Sequence, residues 1–184
     1  NRVAFHYQRT GQAPAFRPLY RLDKDTSGIL VVGKHRAAVS SAQVEKTYYA
    51  VCQGELSGAG TVEAPIGLEP SSKIRRCCRE DGQPALTLWR ALSSQEGHTL
   101  LGLRLETGRT HQIRCQFAAR ELPLAGDLKY RAQARDMEGI ALWSCLLSFD
   151  HPQTGQRVEF SAPPPQTWPW TLFPELWQPK DRGL

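Results

Sequence analysis

The chain has few of the devices that staple small or secreted proteins. Its five cysteines, Cys52, Cys77, Cys78, Cys115 and Cys145, are odd in number and include no Cys-x-x-Cys pair, so neither a disulfide framework nor a zinc site is signalled. A reducing, cytoplasmic setting is the default expectation for such a chain. No stretch of 18 apolar residues is present, and the first residues do not read as a signal peptide, so no membrane association is expected. The absence of a Walker loop and of a Gly-rich dinucleotide turn argues against nucleotide-driven and redox chemistry. Nor is there an internal repeat. What remains is 184 residues with a formal net charge of +5, a balance compatible with a phosphate-bearing partner. A chain of this size buries about 70% of its unfolded surface without a staple, and one domain over 1–184, monomeric, is expected.

Strand-like segments dominate the middle and end of the chain: 47–53, 60–66, 85–92, 100–105, 140–149 and 157–161. The last two are joined by the turn-rich Asp150-His151-Pro152-Gln153-Thr154-Gly155, which predicts a hairpin. Hairpins outnumber βαβ units, so the expected fold is α+β, with a mixed, largely antiparallel sheet and few helices.

Between Arg21 and Gly28 the sequence reads Arg-Leu-Asp-Lys-Asp-Thr-Ser-Gly, followed by the apolar run Ile29-Leu30-Val31-Val32. The run predicts a buried strand, and the polar residues ahead of it predict a turn braced by its own side chains. Asp23 would sit in that turn, held as rigidly as a nucleophile requires. The same pattern in isolation also fits an Asp that only braces a turn. Calcium is a poorer fit. Asp23, Asp25, Ser27 and Gly28 match the start of an EF-hand loop, but its twelfth position, a bidentate Glu in that motif, is Lys34 here.

A second segment, 105–114, changes period after Gly108. Before it, Leu101, Leu103 and Leu105 alternate as in a half-buried strand; after it, Thr110 is a candidate N-cap, and Ile113 with Phe117 gives the stripe of a helix running to about Arg120. The turn would present Arg109, His111 and Arg114 together with backbone amides, a setting that favours an anion. Arg114 is a candidate partner for a buried carboxylate, since an adjacent guanidinium favours the ionised, nucleophilic form.

These two segments resemble motifs of the RluA-type pseudouridine synthases, whose catalytic core carries Arg-Leu-Asp-x-x-Thr-Ser-Gly, then Lys-x-Tyr-x-Ala, then Thr-Gly-Arg-Thr-His-Gln-Ile-Arg. The middle motif is Lys46-Thr47-Tyr48-Tyr49-Ala50 here. Further similarity lies in Pro123-Leu124-Ala125-Gly126-Asp127-Leu128-Lys129-Tyr130 and in the segment from His151-Pro152 to Pro164, so the match runs over about 17–165. The resemblance implies a pseudouridine synthase-like fold and a catalytic set of Asp23, Tyr48 and Arg114. Asp23 would open the glycosidic bond of a uridine in rRNA or tRNA, with attack at C1′ or C6 left open. Arg114 would pair with Asp23, Tyr48 would stack on the uracil, and Arg21 would enter the stack as the base flips out. Arg109 and His111 would join the RNA contact. No cofactor and no metal are implied, because cleavage and re-formation of the bond use groups already in the uridine and the enzyme. Three departures stand out: Tyr20 where the family usually has His, Cys115-Gln116 in place of Val-His, and a shortened interval over 39–46. The abrupt start at Asn1 also raises the expectation that an earlier strand is missing from this chain.

Lys73, Arg75, Arg76 and Arg79 cluster in a Ser/Gly/Pro-flanked stretch that reads as RNA contact or as a solvated loop. The Pro- and Trp-rich tail, 166–184, is expected to pack on the body. A second reading of the whole is an RNA-binding module of the same fold that has lost its chemistry. Retention of Asp23 and Arg114 favours the enzyme.

Overall fold

The computed structural model describes residues 2–12, 16–34, 44–133, 137 and 139–178. Two α-helices, α1 (Arg2–Arg9) and α2 (Gln112–Ala118), accompany nine strands: β1 (Ser27–Gly28), β2 (Glu45–Gln53), β3 (Ala59–Glu63), β4 (Ile66–Leu68), β5 (Arg76–Cys78), β6 (Leu86–Gln95), β7 (His98–Leu105), β8 (Leu142–Asp150) and β9 (Arg157–Ser161). Seven of the strands form one sheet in the order β1-β8-β2-β7-β6-β3, with β9 paired to β8; β4 and β5 form a separate hairpin. Among the described residues, only β1 runs parallel to its neighbour. The expected mixed, largely antiparallel α+β architecture is therefore present, including the β8–β9 hairpin across 150–155.

The sheet is covered on both faces. Alternation along β2 and β7 sends Tyr48, Ala50, Leu101 and Leu103 to one side, where Ile113 and Phe117 of α2 close over them. Val51 and Leu100 point to the other, where Trp170, Phe173 and Leu176 of the tail pack. This corrects the half-buried reading of the strand ending at Leu105. Residues 98–103 are buried throughout because the tail covers the face that alternation alone would have left to water.

Four further expectations fail locally. The run Ile29-Leu30-Val31-Val32 is no buried strand: β1 stops at Gly28, and Leu30 is exposed. Instead 31–33 pair back on 17–19, with Leu19 N–H donating to the Val31 carbonyl at 3.0 Å and Gly33 N–H to that of Arg17 at 2.8 Å. The expected strand 60–66 splits, because Ile66 leaves β6 and pairs with Cys78 in the hairpin. Helix α2 begins after His111, which holds a left-handed φ of 58°, and not after Thr110; it ends at Ala118 and not near Arg120. Helix α1 had no signal that the sequence pattern exposed. The shortened interval lies largely in 35–43, outside the described residues.

Candidate active site

Asp23 is held by a loop closed at both ends. Pairing of 17–19 with 31–33 forms the neck, Thr26 N–H donates to the Asp23 carbonyl at 3.0 Å to make the turn, and Gly28 docks on β8. Gly28 has φ +119°, and a Cβ there would collide with the Ser144 backbone, so only glycine lets the loop lie this close to the sheet. The loop's rigidity thus comes from backbone pairing more than from its own polar side chains.

The neighbouring wall is the turn from β7 to α2. Gln112, buried at its corner, accepts from Arg109 N–H at 3.0 Å and from the Thr107 hydroxyl at 2.8 Å, and donates to the Leu86 carbonyl at 3.0 Å. One amide side chain therefore locks the turn that delivers Arg114.

A cleft of about 290 Å³ opens between these walls, lined by Arg21, Asp23, Thr26, Tyr48, Arg109 and Arg114 among others. Arg114 is only 2% exposed, and a guanidinium this deep needs anionic partners. It has two. Its Nε and one terminal nitrogen donate to the two Asp127 carboxylate oxygens at 2.6 and 2.8 Å, a bidentate pair, while Asp23 Oδ2 lies 3.7 Å from Nη1. Burial works against the Arg114 charge, but the hydrogen bond and charge of Asp127 outweigh it, and the group is held more firmly protonated than usual. Asp127 is itself 1% exposed, whereas the Asp23 side chain keeps 20% of its surface open to the cleft. Arg114 is thus a cation anchored by one carboxylate and presented to another.

Tyr130 completes the support. Its ring centroid is 5.2 Å from the Arg114 guanidinium, and its hydroxyl bonds the Arg76 backbone and lies 2.9 Å from His111 Nδ1. Asp127 and Tyr130 belong to the segment 123–130, whose sequence pattern alone assigned them no role. The signal that could have found them is the rule that a buried Arg must be matched by a buried acid.

Tyr48, on β2, is 5% exposed, and burial, followed by the nearby Tyr20 and Asp23, pushes its hydroxyl well above the usual tyrosine range. It is a neutral phenol at any physiological pH. Thr26 Oγ1 is buried in the same cleft with no hydrogen-bond partner among the described residues. Arg21 and Arg109 are exposed at the rim, and Arg109 Nε donates to the Pro84 carbonyl at 3.0 Å. His111 is turned away toward Tyr130, and burial draws its imidazole below the usual histidine range. Helix α2 is seven residues long and its first turn follows a left-handed histidine, while Arg109 and Arg114 from this turn line the cleft.

Of the basic cluster, one residue lies in a strand and the others in the turns around it. Arg76 lies in β5, Arg75 pairs with Glu69 at 3.6 Å, and Arg79 is bound by both oxygens of Asp81. Lys73 is exposed at the hairpin tip.

Residues 1–119 match the family model described as RNA pseudouridylate synthase. Over 174 residues, 90% of this chain and 62% of the relative, the chain is 43% identical to a Bacillus subtilis protein named "Uncharacterized RNA pseudouridine synthase YjbO". It is 35% identical over 186 residues to "Ribosomal large subunit pseudouridine synthase D" of Vibrio cholerae, covering 90% of this chain and 57% of that protein. Among solved structures, "Human RNA Pseudouridylate Synthase Domain Containing 1" superposes with a TM-score of 0.72 at 27% identity, over 86% of this chain and 72% of that one. The chain spans about three-fifths of the length of the two bacterial relatives.

Proposed function

This chain belongs to the RNA pseudouridylate synthase family, and we propose that it isomerises a uridine in structured RNA to pseudouridine with Asp23 as nucleophile. The observation that carries the reading is the open carboxylate of Asp23 set 3.7 Å from an Arg114 that Asp127 already neutralises. Such a carboxylate is oriented and kept close to a cation without being consumed by it, which leaves an oxygen free to attack. Asp23 bonds to C1′ or C6 of the uridine and the glycosidic bond breaks. The uracil turns within the cleft and its C5 bonds to C1′, displacing Asp23 in the C1′ route or followed by departure of Asp23 from C6 in the other; C5 loses its proton and N1 takes one up. No external electrons or groups are needed. Tyr48 offers a ring face for the uracil and a hydroxyl that can relay the C5 proton. Arg21 at the rim would fill the gap left by the flipped base, which chemistry on a base in folded RNA requires.

Relatives named for the ribosomal large subunit support rRNA as the substrate class in this reading, with tRNA the second candidate. Action as a monomer in the cytoplasm, on one domain spanning the chain, belongs to the same reading. The alternative of an inactive RNA-binding module gains no support from a cleft that keeps Asp23, Tyr48 and Arg114 together.

The test is tritium release from transcripts carrying 5-tritiated uridine. Wild-type protein is expected to release tritium, and Asp23→Asn to be slower by at least about four orders of magnitude. Comparable release by the two proteins would overturn the assignment of Asp23.

A further inference from the structure

Lys46 lies in the same cleft as Asp23 and has been given no role. Alternation along β2 puts it on the same side as Tyr48, two residues on. Its ammonium rests 4.9 Å from the centroid of the Tyr20 ring, and that ring is braced because its hydroxyl donates to the Ile29 carbonyl. The lysine is half-buried, and burial alone draws its charged form down. Among the described residues no carboxylate lies within ion-pair distance of it, whereas Arg114 has two. A partly desolvated cation with an aromatic face beneath it and no anion above it is a site short of an anion. Of the other rim cations, Arg109 already donates to a carbonyl, and Arg21 is exposed, with no aromatic face beneath it among the described residues.

We infer that Lys46, seated on the Tyr20 ring, binds a phosphodiester of the target nucleotide's own backbone and so holds that nucleotide in the cleft. The inference rests on the reading of the cleft as a uridine isomerase. A phosphodiester is favoured over a uracil carbonyl because a charged acceptor makes a bond roughly twice as strong with an ammonium. The ring preorganises the side chain, so that little rotamer freedom is lost when RNA arrives. Tyr20, which departs from the family's usual histidine, would then be the residue that holds Lys46 in place.

The experiment is a salt series of binding titrations and tritium-release kinetics with in vitro transcripts of rRNA and tRNA. Lys46→Met should raise Kd and KM about ten- to a hundredfold, change kcat less than about threefold, and flatten the slope of log Kd against log salt by about 0.7 to 0.9, the counterion release of one phosphate. Lys46→Arg should restore most of the affinity and the slope. Tyr20→Leu should fall between wild type and Lys46→Met. Thermal unfolding of each variant separates a binding loss from a folding loss, and Lys46→Gln replaces Lys46→Met if the latter unfolds. Raised Kd with an unchanged salt slope would overturn the phosphate assignment, as would an unchanged Kd or a loss confined to kcat. A wild-type protein that binds but releases no tritium would overturn the isomerase reading, while the salt slopes would still decide the role of Lys46.

Discussion

Two arginines approach the same aromatic ring: Arg114 at 5.2 Å from the Tyr130 centroid and Arg75 at 5.3 Å. One belongs to the cleft, the other to the β4–β5 hairpin beside it, and their surroundings differ in kind. Arg114 is 2% exposed between two carboxylates, while Arg75 is 30% exposed with Glu69 loosely placed at 3.6 Å. Residue type and an aromatic neighbour are common to both. Burial and the number of anions at hand hold one in a buried ion-pair chain and leave the other available to solvent or to a phosphate. The basic hairpin is also less basic than it reads, because Asp81 engages Arg79 and leaves Lys73, Arg75 and Arg76 as its usable charge.

The contrast can be broken most forcefully at Arg114. Arg114→Met leaves Asp127 buried with no cation, which costs about 3–5 kcal/mol of stability, and turnover should fall about 10²- to 10³-fold. Arg75→Met should change stability by under about 0.5 kcal/mol. Thermal unfolding of the two variants checks this, and equal shifts would erase the distinction.

A second test uses alkaline pH. Tyr48 and Tyr130 both have hydroxyls pushed upward mainly by burial. A raised folded-state value means the unfolded chain gives up its proton first, so stability is full below about pH 10, the unfolded tyrosine value, and declines as pH rises beyond it. Tyr48→Phe should flatten that decline in an unfolding series above pH 10. An unaltered profile would remove Tyr48 from the account of alkaline sensitivity.

The cysteines sharpen the same comparison. Cys78, on the hairpin, is lowered to about 7, chiefly by its contact with the Cys115 side chain. Cys115, on the cleft helix, is pushed far up by that contact and by burial. Iodoacetamide should modify Cys78 well before Cys115, with a half-maximal rate near pH 7. Labelling of both at one rate would contradict the separation.

The smallest effect is expected at the hairpin surface. Neutralising Lys73 and Arg75 together should weaken RNA binding across sequences and flatten its salt dependence by roughly one to two units of slope, with the rate at saturating RNA little changed. An unaltered slope would return the hairpin to a scaffold role.

Much of this was legible because chain-local patterns carry it. Alternation marked the main strands and the β8–β9 hairpin, and contiguous motifs marked Asp23, Tyr48 and Arg114 as candidates that the fold gathers in one cleft. What escaped depends on distant partners. Ile29-Leu30-Val31-Val32 is apolar enough for a core strand, yet 31–33 pair with the part-buried 17–19 segment outside the main sheet, which no local pattern reveals. Arg114 could be linked to a carboxylate in principle, but the choice between Asp23 and Asp127 is made by tertiary geometry. Gly126 shows why Asp127 can serve: its φ of +77° and a tight fit against Gly139 turn the chain so that the next carboxylate points inward. Charge counting also missed the pairs Arg75–Glu69 and Arg79–Asp81, because which acid meets which base is set by the hairpin fold.

The central claim is that the two acids on Arg114 have different duties, Asp127 holding the cation and Asp23 performing chemistry. Asp23→Asn and Asp127→Asn, measured side by side for thermal unfolding and tritium release, test it most directly. The account predicts that Asp23→Asn stays within about 1 kcal/mol of wild-type stability while losing turnover by at least about 10⁴-fold, because its side chain is partly open to solvent. It predicts that Asp127→Asn loses about 3–5 kcal/mol by leaving a buried guanidinium underpaired. Turnover retained by Asp23→Asn, or an Asp127→Asn protein as stable as wild type, would contradict it.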